Sequence, residues 1–123
     1  MALQSATVMV VDDEAAVRSA IGAVLDLEGY TVLEASDGEQ AIRHLRGRAV
    51  DAVISDVRMP CVDGIGLAGW IANNAPAITL LLISGGRRGA ALRGLPSEAL
   101  FFQKPFRTSA LLAALKNRLA HKH

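Results

Sequence analysis

The chain has 123 residues, of which 51% are hydrophobic and 20% are charged, and this composition indicates one folded domain rather than a disordered segment. The formal net charge of +1 provides no general attraction to nucleic acid, and no apolar run is long enough to span a bilayer. The only cysteine, Cys61, excludes an internal disulfide and fits a reducing compartment. We therefore expect a single domain over residues 1–123, located in the cytoplasm, with no membrane partner and no direct nucleic-acid binding.

The first half of the chain alternates between apolar strands and amphipathic helices. A first strand is predicted at Thr7–Val11, followed by a helix that Gly29 ends. Residues 30–35 form a second strand, which is more polar and is therefore expected near a sheet edge. Asp37 and Gln40 then resemble a capping box at the start of another helix. The apolar positions of the first helix follow a helical stripe: Val17, Ala20, Ile21, Val24 and Leu25.

The central stretch, residues 49–60, is a short apolar run that ends in a carboxylate. Its valines and isoleucine predict a buried strand that ends at Asp56, and Pro60 prevents the chain from continuing as a helix. Gly64, Gly66 and Gly69 then match the spacing of a dinucleotide-binding loop. The match lacks a strand directly before it and an acidic residue about 20 positions later, so we interpret it as a glycine-rich helix start. Its core-facing side chains are predicted to be Ile65, Ala68 and Ile71.

The second half repeats the alternation, except for one segment that lacks a clear helical pattern. A fourth strand at residues 78–83 ends at Ser84, and a fifth at Leu100–Gln103 ends at Lys104. Between them, residues 85–96 are rich in glycine and predict at most a short or irregular helix. A last helix begins near Thr108 and presents four leucines to the core: Leu111, Leu112, Leu115 and Leu119.

Alternating strands and helices predict an α/β fold: a doubly wound five-stranded parallel sheet with helices on both faces. The carboxyl ends of parallel strands share one edge, so the polar groups at those ends should converge: Asp12, Asp13, Asp56, Ser84 and Lys104. Clustered carboxylates repel one another, and their hard oxygen atoms suit Mg²⁺. A divalent ion together with Lys104 would balance the three carboxylates, so the site could be neutral before it reacts.

The residues at these strand ends resemble a known family. Residues 10–14, 54–60 with Gly64, 83–85 and 104–106 stand in the order and spacing of the receiver domains of bacterial two-component signalling, over nearly the whole chain. The resemblance implies a flavodoxin-like sheet of order 2-1-3-4-5. It also implies that Asp56 accepts a phosphoryl group from a phosphohistidine on a sensor histidine kinase or a phosphotransfer protein. A downstream output domain or protein would read the resulting state.

The resemblance also implies a role for each site residue. Asp13, Asp56 and the backbone carbonyl of Arg58 would bind Mg²⁺ or Mn²⁺, with Asp12 acting largely through water. Ser84 and Lys104 would contact the phosphoryl oxygens, and Phe101 would be the switch residue that responds to movement of Ser84. The peptide bond between Lys104 and Pro105 would be cis.

Two positions depart from the family pattern. The family usually has a regular fourth helix where this chain has its glycine-rich segment, and that helix contributes to the signalling face. Arg58 places a long cation beside the acceptor, and we expect it to influence the access of attacking water to the phosphorylated form.

Other functions fit the sequence less well. The chain could be a stand-alone regulator or a receiver excised from a hybrid histidine kinase or a larger response regulator. An aspartyl-phosphate hydrolase would carry Asp-x-Asp after the first strand, whereas this chain reads Asp12-Asp13-Glu14. A binding-only receiver would not need the intact residue set. We therefore expect a signalling domain that promotes only its own phosphorylation and dephosphorylation, not an enzyme acting on other substrates.

Overall fold

The computed structural model describes residues 6–58, 63–84 and 99–120. The strands are β1 (Thr7–Val11), β2 (Thr31–Ala35), β3 (Ala52–Asp56), β4 (Thr79–Ser84) and β5 (Leu100–Gln103). The described helices are α1 (Ala15–Leu27), α2 (Gly38–Gly47), α3 (Gly64–Asn74) and α4 (Thr108–Ala120). The short or irregular helix predicted within residues 85–96 lies outside the described residues, as does Pro60, which was predicted to end the central apolar stretch.

The strands form one parallel sheet in the order β2-β1-β3-β4-β5, as predicted. β3 and β4 lie inside the sheet and are buried along their whole length, whereas β2 at the edge has exposed positions. Asp56 pairs with Ile83, and Ser84 pairs with Gln103. This register brings the carboxyl ends of β3, β4 and β5 to one edge of the sheet.

The helices pack on both faces of the sheet and divide the core in two. One cluster joins α2 and α3 to one sheet face, and the other joins α1 and α4 to the opposite face. Side chains alternate between the faces along each strand, so Val53 belongs to the first cluster and Ile54 to the second. This burial on both faces explains why the strands inside the sheet are largely apolar in sequence.

The helix boundaries agree closely with the predictions, and some helix faces differ. Gly29 follows α1 with φ of 95°, as expected for a glycine that ends a helix. Ala20 was predicted to face the core but is exposed, and Gly22 is buried instead, where it faces the side chains of Val32 and Glu34 on β2. In α3, the fully buried Leu67 was missed by the predicted stripe.

The capping box predicted at α2 is half correct. Asp37 accepts a hydrogen bond from the backbone N–H of Gln40 at 2.8 Å. The Gln40 side chain accepts in return from the N–H of Ser36 at 2.8 Å, one residue before the expected donor. None of the described helices has the length and hydrophobicity needed to cross a membrane.

Candidate functional site

The carboxyl edge of the sheet gathers acidic side chains and one lysine. Asp12 directly follows β1, Asp56 is the last residue of β3, and Lys104 directly follows β5. Asp12 and Asp56 are only 2% and 8% exposed. Charged groups with this little exposure need partners, because burial removes the water that would otherwise stabilise them. The partners are found at the same edge.

Both carboxylate oxygens of Asp56 have a donor. Lys104 Nζ lies 3.2 Å from Oδ2, and the backbone N–H of Arg58 donates to Oδ1 at 3.1 Å. The ion pair is largely buried, since the side chains of Lys104 and Asp56 are 28% and 10% exposed. These two contacts fix the direction of the Asp56 carboxylate toward the edge of the sheet.

Asp12, Asp13 and Asp56 form the acidic cluster predicted from the sequence. Each offers one carboxylate oxygen, and these oxygens all lie within 4.8 Å of one another. Burial raises the pKa of Asp12, and the charges of Asp56 and Asp13 raise it further, against the opposing effects of the Glu14 N–H and Lys104. Three converging hard oxygens with an electrostatic need for a cation fit the ligand preferences of Mg²⁺ or Mn²⁺.

Asp12 is held through its backbone as well as its side chain. Its N–H donates to the carbonyl of Ala35 at 3.1 Å, and its Oδ1 accepts from the N–H of Glu14 at 2.8 Å. Its carbonyl accepts from Arg18 Nη1 at 2.8 Å, and Arg18 Nε contacts Glu34 Oε1 at 2.9 Å. Arg18 and Glu34 were not among the site residues predicted from the sequence. The available signal was a carboxylate near the end of the second strand and an arginine in the first turn of the preceding helix.

Gly64 lies directly against the strand that carries Asp56. A Cβ atom at this position would lie 2.6 Å from the carbonyl oxygen of Asp56 and 2.7 Å from the Cα of Val57. The N–H of Gly64 donates to the Val57 carbonyl at 2.9 Å, and Asp63 caps α3 through the N–H of Gly66 at 2.9 Å. The glycine motif is therefore a helix start, as predicted, and it supports the loop after β3.

Ser84 and Phe101 lie on the same sheet face near this edge. Leu82 pairs with Phe101 in the register, and Ser84 is two residues beyond Leu82 on the buried strand β4. The carbonyl of Ser84 accepts a hydrogen bond from the N–H of Lys104 at 2.7 Å. The peptide bond between Lys104 and Pro105 is cis, in agreement with the expectation from the resemblance.

A five-stranded parallel sheet of order 2-1-3-4-5 with acidic groups at its carboxyl edge defines a flavodoxin-like α/β domain. The chain belongs to the response regulator receiver domain family, which matches residues 8–116. It is thus a receiver domain of two-component signalling, a family of signalling domains.

The relatives of the chain include a sensor kinase and a response regulator. The chain is 40% identical over 119 residues to the sensor kinase CckA of Brucella abortus, covering 94% of this chain and 13% of that protein. It is 32% identical over 116 residues to the response regulator GtcR of Aneurinibacillus migulanus, covering 94% of this chain and 48% of that protein. The chain therefore spans less than half the length of either relative.

Solved structures of receiver domains share this fold. The signal receiver domain of an HD domain-containing protein from Pseudomonas fluorescens Pf-5 superposes with a TM-score of 0.89 at 28% identity, covering 96% of this chain and 97% of that one. A response regulator receiver protein from Sinorhizobium medicae WSM419 superposes with a TM-score of 0.86 at 29% identity, covering 99% and 100% of the two chains.

Proposed function

We propose that this receiver domain accepts a phosphoryl group on Asp56 from the phosphohistidine of a sensor histidine kinase or a phosphotransfer protein. The observation that supports the proposal is the environment of Asp56. A buried carboxylate has a lysine ammonium at 3.2 Å and two further carboxylates close enough to share a cation with it. A carboxylate held in this way can act as a nucleophile toward a phosphoryl group.

In the proposed reaction, a carboxylate oxygen of Asp56 forms a bond to phosphorus while the bond from phosphorus to the imidazole nitrogen breaks. The electron pair of that bond stays on the imidazole nitrogen. A phosphohistidine ring that is already protonated on its other nitrogen therefore leaves as neutral imidazole. Lys104, already beside Oδ2, would place its charge next to the phosphoryl oxygens as negative charge accumulates there. Fixed charges of this kind supply most of the stabilisation in phosphoryl transfer.

The acidic cluster would hold the metal ion that the family resemblance implies. Asp13, Asp56 and the backbone carbonyl of Arg58 would be ligands of Mg²⁺ or Mn²⁺, and Asp12 would act largely through water. When bound, the ion supplies positive charge that offsets the repulsion between the carboxylates and the phosphoryl group. The residues of this chain contribute the fixed oxygen positions and the Lys104 counter-charge.

Phosphorylation would be read out through Ser84 and Phe101. The Ser84 hydroxyl would donate a hydrogen bond to a phosphoryl oxygen, which draws the end of β4 toward Asp56. Phe101 packs partly buried on the same sheet face and would change its position in response. Such a local event biases a two-state equilibrium, and an output domain or partner protein would recognise the new state.

Mass spectrometry of the intact protein tests the proposal. Incubation with acetyl phosphate and Mg²⁺ should add the mass of one phosphoryl group to the unmodified chain. Asp56→Ala should show no addition, whereas the control Asp26→Ala, which removes an exposed acid from α1, should be modified normally. If Asp56→Ala gained the phosphoryl mass to the same extent as the wild-type chain, Asp56 would be refuted as the acceptor.

The readout requires a second measurement. The ring resonances of Phe101 should shift on phosphorylation in nuclear magnetic resonance spectra, and the shift should be lost in Ser84→Ala while phosphoryl addition persists. Identical Phe101 shifts in Ser84→Ala would reject the proposed link.

We further propose that the domain works in the cytoplasm and promotes only its own phosphorylation and dephosphorylation.

A further inference from the structure

Arg18 connects α1, β2 and the acidic cluster through one side chain. Its Nη1 donates to the carbonyl of Asp12 at 2.8 Å, and its Nε contacts Glu34 Oε1 at 2.9 Å. Glu34 directly precedes Ala35, whose carbonyl accepts the N–H of Asp12 at 3.1 Å. The contacts close a ring in which β2 holds the N–H of Asp12 and, through Arg18, its carbonyl as well.

The geometry of this ring favours a role in positioning. The guanidinium is planar and presents its donors in a fixed fork, so one Arg18 side chain can hold two acceptors at a set separation. A lysine ammonium carries its three donors on one rotatable nitrogen and has no such fixed fork. Asp12 lies between the end of β1 and the start of α1, where no regular secondary structure constrains it. The Arg18 contact therefore fixes the peptide that joins Asp12 to Asp13, the two acids contributed by this turn.

A large contribution of the ion pair to overall stability is not expected. The side chains of Arg18 and Glu34 are 19% and 43% exposed, and ion pairs with this much solvent access stabilise proteins only slightly. By contrast, groups that orient metal ligands strongly affect metal affinity without touching the metal. The contact is thus placed to influence the acidic cluster more than the fold.

We propose that Arg18 is a positioning residue for the metal site, and that it sets the affinity for Mg²⁺ by fixing the Asp12–Asp13 turn against Glu34. This inference rests on the proposed function, because it concerns the metal ion that the acidic cluster would hold. For the removal of Arg18, a positioning role predicts the opposite change in Mg²⁺ affinity from a simple charge effect. Removing a cation near a divalent metal site should tighten Mg²⁺ binding by reducing repulsion, whereas loss of positioning should weaken it.

Titration calorimetry with Mg²⁺ on the full chain tests the proposal. Arg18→Met keeps an unbranched side chain and removes the donors, and we expect it to weaken Mg²⁺ binding about tenfold. The control is Lys116→Met on α4, which also removes one positive charge. Lys116 forms a 2.6 Å ion pair with Glu28, at the end of α1 opposite the acidic cluster, and this variant breaks that pair. Its effect should stay below about twofold, because an exposed charge is screened by solvent and salt.

Two variants of Glu34 test the hydrogen bond separately from charge. Glu34→Ala and Glu34→Gln lose the same charge, but glutamine retains an oxygen that can accept from Arg18 Nε. Binding should weaken in Glu34→Ala and recover substantially in Glu34→Gln. Circular dichroism establishes that each variant is folded, and the Glu34 pair keeps the proposal testable if Arg18→Met does not fold.

A kinetic measurement separates this proposal from the proposed function. In Arg18→Met, the Mg²⁺ concentration for half-maximal phosphoryl uptake should rise, while the rate at saturating Mg²⁺ should stay close to that of the unmodified chain. Unchanged or tighter Mg²⁺ binding in Arg18→Met would overturn the positioning role and leave the proposed function intact. Absence of Mg²⁺ binding to the unmodified chain would overturn both the metal site and the role of Arg18.

Discussion

Lys104 Nζ lies 3.2 Å from Asp56 Oδ2, although the two residues are 48 positions apart in the chain. Lys104 follows β5 and Asp56 ends β3, and β4 lies between these strands in the sheet. The long lysine side chain spans the width of β4 to reach the carboxylate. The pair therefore forms only if the strand order and the register are both correct, and it links the Asp56 carboxylate to the last strand of the sheet.

Lys104→Met should slow phosphoryl uptake from acetyl phosphate by about a hundredfold or more, because a preorganised charge next to the transferring group is lost. The rate can be followed by intact-protein mass spectrometry at saturating Mg²⁺. Lys116→Met is the matched control, since it removes a lysine charge from the far end of α4. Wild-type uptake by Lys104→Met would exclude Lys104 from the reaction.

Gly64→Ala should destabilise the domain by up to about 3 kcal/mol, because the added Cβ overpacks against backbone atoms that cannot move independently. The atoms concerned are the Asp56 carbonyl oxygen at 2.6 Å and the Val57 Cα at 2.7 Å. Urea unfolding monitored by circular dichroism measures the change. The variant should also take up phosphoryl groups more slowly, since the strain falls on Asp56, the proposed acceptor.

Gly69→Ala provides the control within the same helix. Apart from its chain neighbours and the backbone of its own helix, no atom of the described residues lies within 4 Å of a Cβ placed at Gly69, so alanine fits without strain. The substitution should stabilise the domain by about 1 kcal/mol, because alanine favours the helix more than glycine does. Similar effects of the two substitutions would show that close approach at Gly64 is not the reason for its glycine.

Asp12→Asn should stabilise the metal-free domain at neutral pH. The pKa of Asp12 is raised above its ordinary value of 3.8, chiefly because burial disfavours the charged form. A carboxyl group with a higher pKa in the folded state than in the unfolded state costs stability when it is ionised. This cost is complete above the folded-state pKa and disappears as the pH falls below 3.8.

The stabilisation of Asp12→Asn should therefore be present at pH 7 in the presence of a chelator and shrink steadily as the pH approaches 3.8. Asparagine can still accept the Glu14 hydrogen bond, so the comparison isolates the charge. Asp26→Asn is the control, since Asp26 is an exposed acid at the end of α1 opposite the acidic cluster. A pH-independent difference between Asp12→Asn and the unmodified chain would contradict this account.

Arg58→Ala should shorten the lifetime of the phosphorylated form several-fold. The exposed Arg58 follows Asp56 by two residues, and its backbone N–H donates a hydrogen bond to the Asp56 carboxylate. Its long side chain should hinder the approach of water to the phosphorylated carboxylate. Loss of the phosphoryl mass over time measures the lifetime, with the exposed Arg43→Ala on α2 as control. An unchanged lifetime in Arg58→Ala would reject this role.

The positions of the strands and helices were predictable because each is specified by local patterns. The unbroken apolar runs of β1, β3 and β4 indicate strands covered on both faces, and the alternation with helices restricts the sheet to parallel topologies. The acidic cluster followed from the same logic, since Asp12, Asp13 and Asp56 all stand where a strand ends. The order of the strands came from the resemblance to the receiver family and was confirmed by the structure.

The sequence by itself determined which residues form the sheet and which polar groups stand at its carboxyl edge, because these depend on periodicity and on residues close together in the chain. Only the tertiary structure decided the contacts that depend on packing between distant elements. These include the Arg18 bridge from α1 to β2 and the close approach of Gly64 to Asp56. Neither has a local pattern, since a hydrogen bond or a van der Waals contact across elements depends on how closely and at what register those elements pack.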